Sequence, residues 1–283
     1  MNDSPDTLPA VEADYEARYM VVNCTNEVIS GVVCIHSCAE AAWTNKVSAQ
    51  VLGPAEATSV QTMRTRAWWA DVWCVASTRQ EILYVRGGLG ADVPRQGAGG
   101  LCIVTIGNHA FTIIPPAMEF LSRFSVKPPF FVFNARELPG NAGKTVESAN
   151  EAFKNTGETV EKDKHSVEGV DEEYTGSFTV INATNGPITD VRIMHECNGA
   201  PHTLREALME KDTVSLSTRM TSASGHRDYW SVSFRINGNT KSRDGKQCNY
   251  VAEDSPQTCL IILYEDSFSL IIPVSDPCLI NHY

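Results

Sequence analysis

The sequence predicts an all-β protein built as two tandem antiparallel β-sandwich domains related by internal duplication, with a partly helical or irregular connection between them. Three observations lead there. The chain aligns with itself at an offset of 157 to 159 residues. The aligned blocks carry the period-two alternation of half-buried strands, and helical periodicity is nearly absent from them. The length of 283 residues suits two domains of about 100 residues each plus connections.

Taken in order, residues 1–16 read as a flexible N-terminal arm, 17–116 as the first sandwich, 117–174 as an aromatic and charged connecting segment with one short helix, and 175–283 as the second sandwich. Residues 19–38 align without gaps on residues 178–197, matching Asn23 with Asn182, Thr25 with Thr184, His36 with His195 and Cys38 with Cys197. A second block pairs Asp71 and Trp73 with Asp228 and Trp230, and a third pairs Cys102 and Phe111 with Cys259 and Phe268. Chance similarity does not keep order and offset together over three blocks.

Each copy opens on a short β-rich run, 19–22 or 178–181. Asn-x-Thr-Asn then supplies a turn in which Asn tolerates left-handed geometry and Thr bonds the local backbone. After it, Val191, Ile193, His195 and Cys197 alternate with Arg192, Met194 and Glu196. That alternation turns His195, and by symmetry His36, toward the apolar face. Residues 228–239 end in an Asn-Gly turn, and residues 259–273 read as strand, acidic turn and strand, stopped by Pro273.

The connection has no counterpart in the repeat. Residues 118–133 hold five Phe, too many to leave in water, and Pro128-Pro129 forbids a continuous helix there. The segment is expected to pack on a sandwich or to seal the interface between the two. Residues 145–154 are the one good helix candidate. Residues 143–174 contain nine acids and four bases, so this solvated stretch carries about half of the net charge of −11.

The N-terminus is acidic and polar, without the pattern of a secretory leader, and a cytoplasmic location is expected. Nine free thiols are expected with it, at Cys24, Cys34, Cys38, Cys74, Cys102, Cys197, Cys248, Cys259 and Cys278. No run approaches the roughly 18 apolar residues of a membrane helix, so no transmembrane segment is expected. The 23 Lys and Arg against 34 Asp and Glu offer no basic stripe for nucleic acid.

Two groups of residues could carry chemistry. Cys34, His36 and Cys38 share one strand face, but side chains spaced about 7 Å apart along a flat strand do not converge on one ion. The second copy also has Ile193 where the first has Cys34. No metal is expected, and the inward His is read as a core residue bonded to a neighbouring carbonyl. The other group is the loop at 222–230, where His226, Arg227, Asp228 and Tyr229 crowd together. The first copy offers Trp68 and Trp69 there instead, while Asp-x-Trp itself has a purely structural reading, a carboxylate holding a turn and an indole filling the core. The glycine run at 87–100 lacks the strand-to-helix setting of a phosphate loop.

The pattern V-x-N-x-T-N-x-x-I-x-x-V-x-x-x-H, then D-x-W, then a Cys-led strand pair ending F-x-x-I-x-P, resembles the small cytosolic β-sandwiches of the aegerolysin-like superfamily, including the nematode proteins up-regulated in long-lived animals. That resemblance implies an intracellular sandwich, often a homo-oligomer, that binds lipid head groups or protein partners. This chain differs in fusing two divergent copies and in its aromatic connection.

The reading these features support is a non-catalytic binding or interaction protein without cofactor, presenting a hydrophobic small molecule, lipid or partner site at the interdomain junction. The alternative is a cofactor-independent cyclase or isomerase of a hydrophobic small molecule. Its pocket would be lined by Trp68, Trp69, Phe130, Phe131, Arg227 and Tyr229, with His226 and Asp228 as acid and base.

Overall fold

The computed structural model describes residues 14–38, 44–66, 71–90, 99–108, 110–116, 131–134, 136–139, 172–275 and 277–283. The first half comprises β1 (Asp14–Asn23), β2 (Ile29–Cys38), β3 (Thr44–Leu52), β4 (Gln61–Arg66), β5 (Asp71–Arg79), β6 (Ile82–Gly90), β7 (Leu101–Ile106), β8 (Ala110–Ile114), β9 (Phe131–Asn134) and β10 (Arg136–Pro139). They form two sheets in the orders β4-β1-β7-β8-β9 and β10-β6-β5-β2-β3.

The second half repeats the plan with β11 (Glu173–Asn182), β12 (Ile188–Cys197), β13 (Ala200–Met209), β14 (Thr218–Ala223), β15 (Asp228–Ile236), β16 (Asn239–Gln247), β17 (Thr258–Leu263), β18 (Ser267–Ile271) and β19 (Cys278–His282). Their orders are β14-β11-β17-β18-β19 and β13-β12-β15-β16. The duplication therefore holds at the level of topology and register. Arg18 faces Leu101 across the β1–β7 pair, and Ser177 faces Thr258 across β11–β17.

Three findings differ from the sequence expectation. First, the sheets are not purely antiparallel, because β1 runs parallel to β7 and β11 to β17. Strands separated by most of a domain need no tight turn, so a parallel pairing is open to them. Second, β9 and β10 lie inside the segment read as a connection, and they extend the two sheets of the first half, pairing with β8 and β6. The helix expected at 145–154 lies outside the described residues. Third, Cys248 and Cys278 form a disulfide, with Cα atoms 6.0 Å apart across 30 residues of sequence. It ties β19 to the end of β16, and seven cysteines stay reduced.

Each half has its own apolar core. Tyr19, Val21, Met63, Trp73, Val104 and Phe111 belong to the first, and Phe178, Val180, Trp230, Phe234, Ile261 and Phe268 to the second. A third cluster joins the halves. Met20, Val22, Leu101, Ile103 and Ile114 meet Ile181, Leu260, Ile262 and Ile271, all nearly inaccessible. Alternate residues of β1, β7, β11 and β17 thus serve a core on one side and the junction on the other, and β7 and β17 are buried at all six positions. Such strands read as nearly continuous apolar runs because neither face meets water. The junction is direct sheet-on-sheet packing, with each fully buried aliphatic side chain contributing about 1.5–3 kcal/mol.

Polar contacts register the two halves. Thr258 N donates to Cys24 O at 2.9 Å, Asn108 N donates to the Gln257 side-chain oxygen at 2.8 Å, and Arg18 pairs with Asp212. The hairpin turn at Asn237-Gly238 has φ of 50° and 78°, and its counterpart Gln80-Glu81 adopts 47° and 66°. The first half thus builds with Gln and Glu a left-handed turn suited to Asn-Gly.

Candidate functional site

The repeated polar residues fall into two buried devices. In the first, Asn23 Nδ2 donates to the carbonyls of Glu27, Leu52 and Gly53 at 2.8 to 3.1 Å. Its Oδ1 accepts from both the amide and the hydroxyl of Thr25. Asn182 and Thr184 repeat each bond, with Gly186, Met209 and Glu210 as acceptors. Asn-x-Thr is therefore a clip holding the β1–β2 turn to the end of β3, and equivalently β11–β12 to β13. Every polar atom of the Asn side chain is used, so the residue is structural.

The second device is a His–carboxylate pair. His36 Nε2 lies 2.7 Å from Asp71 Oδ1, and His195 Nε2 lies 2.7 Å from Asp228 Oδ1. All four residues are fully buried. The expected carbonyl partner is thus a carboxylate from the adjacent strand, at a position the repeat had already singled out. Register explains it, since His36 faces Trp73 and Cys38 faces Asp71 across β2–β5, which leaves Asp71 diagonal to His36. The indoles pack on the imidazoles, with centroids 4.6 Å apart for Trp73–His36 and 4.5 Å for Trp230–His195. Thr65 donates to Asp71 at 2.7 Å, while Ser222 and the Tyr250 amide donate to Asp228 at 3.0 and 2.7 Å.

Ser222, Asp228 and His195 share residue types with a nucleophilic triad, but their order is wrong for one. The hydroxyl bonds the carboxylate and not the imidazole, and all three are sealed from solvent. A nucleophile needs its base within hydrogen-bond reach and access to substrate.

The loop residues proposed for acid–base chemistry therefore separate. Asp228 points into the core and serves His195, whereas His226 is half-buried and Arg227 and Tyr229 are exposed. Trp68, Trp69 and Phe130 lie outside the described residues. Phe131 belongs to β9, but its side chain is also outside them. Burial pushes the thiols of Cys24, Cys34, Cys102 and Cys259 up, away from the reactive thiolate. No cluster of His, Cys, Asp and Glu able to hold a metal occurs among the described residues.

His202 has no counterpart in the first half, where Asn45 stands. Its ring stacks on His195 at 5.9 Å, and Nε2 accepts from the Thr221 amide at 3.2 Å, linking β13 to β14. Burial, and then the neighbouring His195, hold its pKa below the usual imidazole range. The folded state therefore takes up this proton less readily than the unfolded chain. The stability involved is complete above the unfolded pKa of about 6.5 and declines as pH falls below it toward the folded value. Urea midpoints measured from pH 7.5 to 5 should fall more steeply for the wild type than for His202→Asn; parallel curves would remove His202 from the acid limb.

An open cleft of about 480 Å³ lies where the halves meet. Its walls are two equivalent loops, Pro54 to Thr58 in the first half and Asp212 to Ser217 in the second, with Met20 between them. Both loops are fastened to the first strand of their half. Ala57 bridges Val22 and Val214 bridges Ile181, while the hydroxyls of Thr58 and Ser215 accept the amides of Val21 and Val180. Leu216 stands at the rim, 84% exposed. The sequence reading placed the junction site beside residues 118–133. The cleft is instead walled by the turns after β3 and β13, which the alignment blocks did not cover.

No protein-family model matches the chain, and no curated protein matches it. Among solved structures it is matched to a protein provisionally assigned as an adhesin of Bacteroides ovatus, with 9% identity over 95% of each chain and a TM-score of 0.20. At that score the match carries no argument about fold or activity.

Proposed function

We propose that this is a non-catalytic binding protein that presents a hydrophobic ligand, lipid or partner site at the interdomain junction, in the cleft between the loops at 54–58 and 212–217. The observation that carries this reading is where the repeated polar residues spend their bonding capacity. The Asn–Thr clips and the Nε2 atoms of the His–Asp pairs bond inside the cores, and His36 Nδ1 and His195 Nδ1 are buried there without a partner among the described residues, out of reach of a ligand. The junction, by contrast, offers a concave surface whose walls are fastened to the first strand of each half. Small-molecule sites are usually such pre-formed concavities, apolar with a few placed polar groups. Met20, Ala57, Val214 and Leu216 supply the apolar part, and Thr58, Ser215 and Asp212 the polar part. The likeness to aegerolysin-like sandwiches favours a lipid as the occupant.

The test uses an apolar fluorescent anion, anilinonaphthalene sulfonate. One saturable site per chain is expected, and Leu216→Glu should weaken it about tenfold while the melting temperature stays unchanged, because the side chain is exposed. Absence of binding, or equal binding by the variant, would remove the cleft from consideration.

A further inference from the structure

The first half contains a template for an interaction that the second half leaves open. The outer edge of β6 is completed by β10, antiparallel, with Glu137 at the register position opposite Tyr84 and Leu138 opposite Leu83. The counterpart of β6 is β16. Among the described residues its sheet ends there, with no strand on the far side. Among the described residues, the outer side of this nine-residue strand pairs with no other strand, and such an edge can receive one.

The edge is also charged in one sense. Pairing with β15 sets Lys241 opposite Phe234, Arg243 opposite Val232 and Lys246 opposite Trp230, all core-facing neighbours, so the three cations share one side of β16. Lys241 reaches Asp266 at 2.9 Å. Arg243 and Lys246 make no ion pair among the described residues, and Asp244 is the one carboxylate on the strand. The outer face of the same sheet continues this character. Arg192 and Arg205 sit directly opposite each other on β12 and β13, an arrangement that destabilises a sheet unless an anion comes between. In a chain of net charge −11, β16 itself, with three cations and one carboxylate, is a basic exception.

We propose that the β16 edge receives an extended acidic segment of a partner protein as a fifth strand. Main-chain bonds to β16 supply affinity, and carboxylates at alternate positions opposite Lys241 and Arg243 supply selectivity, the usual division of labour in strand addition. A second copy of β16 would set cations against cations, so the chain itself is a poor occupant. Charge on an exposed edge also deters unwanted pairing, and the experiment separates the two roles.

Isotope-labelled protein is titrated with a seven-residue peptide carrying Glu at alternate positions, TEVEVET, and with its lysine counterpart, TKVKVKT. The acidic peptide should perturb the amides of residues 239–247 saturably and bind at least about tenfold more tightly than the basic one. The double variant Lys241→Glu/Arg243→Glu, in which Lys241 is half-buried and Arg243 exposed, is checked by its melting temperature and should reverse that preference. No perturbation of β16 by either peptide, equal binding of both, or edge perturbation that follows protein concentration without peptide would each overturn the proposal. None of these residues lines the junction cleft, so failure here leaves the cleft reading intact.

Discussion

Replacing Asp228 with Ala should destabilise the protein by about 3–5 kcal/mol, the usual cost of removing one partner from a buried hydrogen-bonded His–carboxylate pair. The substitution strands two groups at once, His195 Nε2 and the Tyr250 amide, neither of which water can reach without opening the sandwich, while the Ser222 hydroxyl keeps the Tyr250 carbonyl as acceptor. Asp228→Asn keeps the shape and one of the two acceptor oxygens, the other becoming a donor, so it should cost less, about 1–3 kcal/mol. Urea unfolding followed by tryptophan fluorescence reads this directly, since the Trp230 ring lies against His195. A loss below about 1 kcal/mol for the Ala variant would mean that the pair does not hold the second half together.

The other large effect belongs to the junction. Ile262→Asp places an unpaired carboxylate between the halves, among Leu260, Ile103 and Ile181, and should cost more than about 4 kcal/mol. More telling than the size is the form of the transition. With the junction intact, calorimetry should give one cooperative endotherm. In the variant the halves should melt separately, because each keeps its own core. Two separate transitions in the wild type would show that sheet-on-sheet packing does not couple them.

The repeat, the all-β class, the inward histidines and the Asn-x-Thr turn were all legible in the sequence, because each depends on residues close along the chain. What joins distant residues was not. Trp73 and Asp71 aligned with Trp230 and Asp228, yet the carboxylate that completes each histidine comes from another strand, and only register shows which. In residues 101–106 and 258–263 a nearly continuous apolar run, broken only by Thr105 and Thr258, says that both faces are buried, but not what covers the second one. Residues 200–209 include Leu204, Arg205, Glu206, Ala207 and Leu208, all good helix formers, and still form the edge strand β13; pairing with β12 overrides local preference there. The strands β9 and β10 were hidden in an aromatic segment whose prolines excluded a helix without announcing sheet edges. Of the candidate site, Asp228 had both an acid–base and a structural reading in the sequence; its bond to His195 was not legible, because it depends on strand register.

The doubly buried strands bear on how such a molecule could have been assembled. Val22 and Ile181, Ile103 and Leu260, Ile114 and Ile271 are repeat counterparts, so the patch that each half buries against the other is nearly the same patch. That is the signature of an isologous contact, the kind found between identical subunits of a symmetric dimer. A half on its own would carry a bare apolar sheet face and could hide it only against a twin. Joining the twins in one polypeptide replaces that concentration-dependent encounter with a permanent one. It also releases the two copies from identity, which is how Asn45 could stand opposite His202 and a covered edge at β6 opposite an open one at β16.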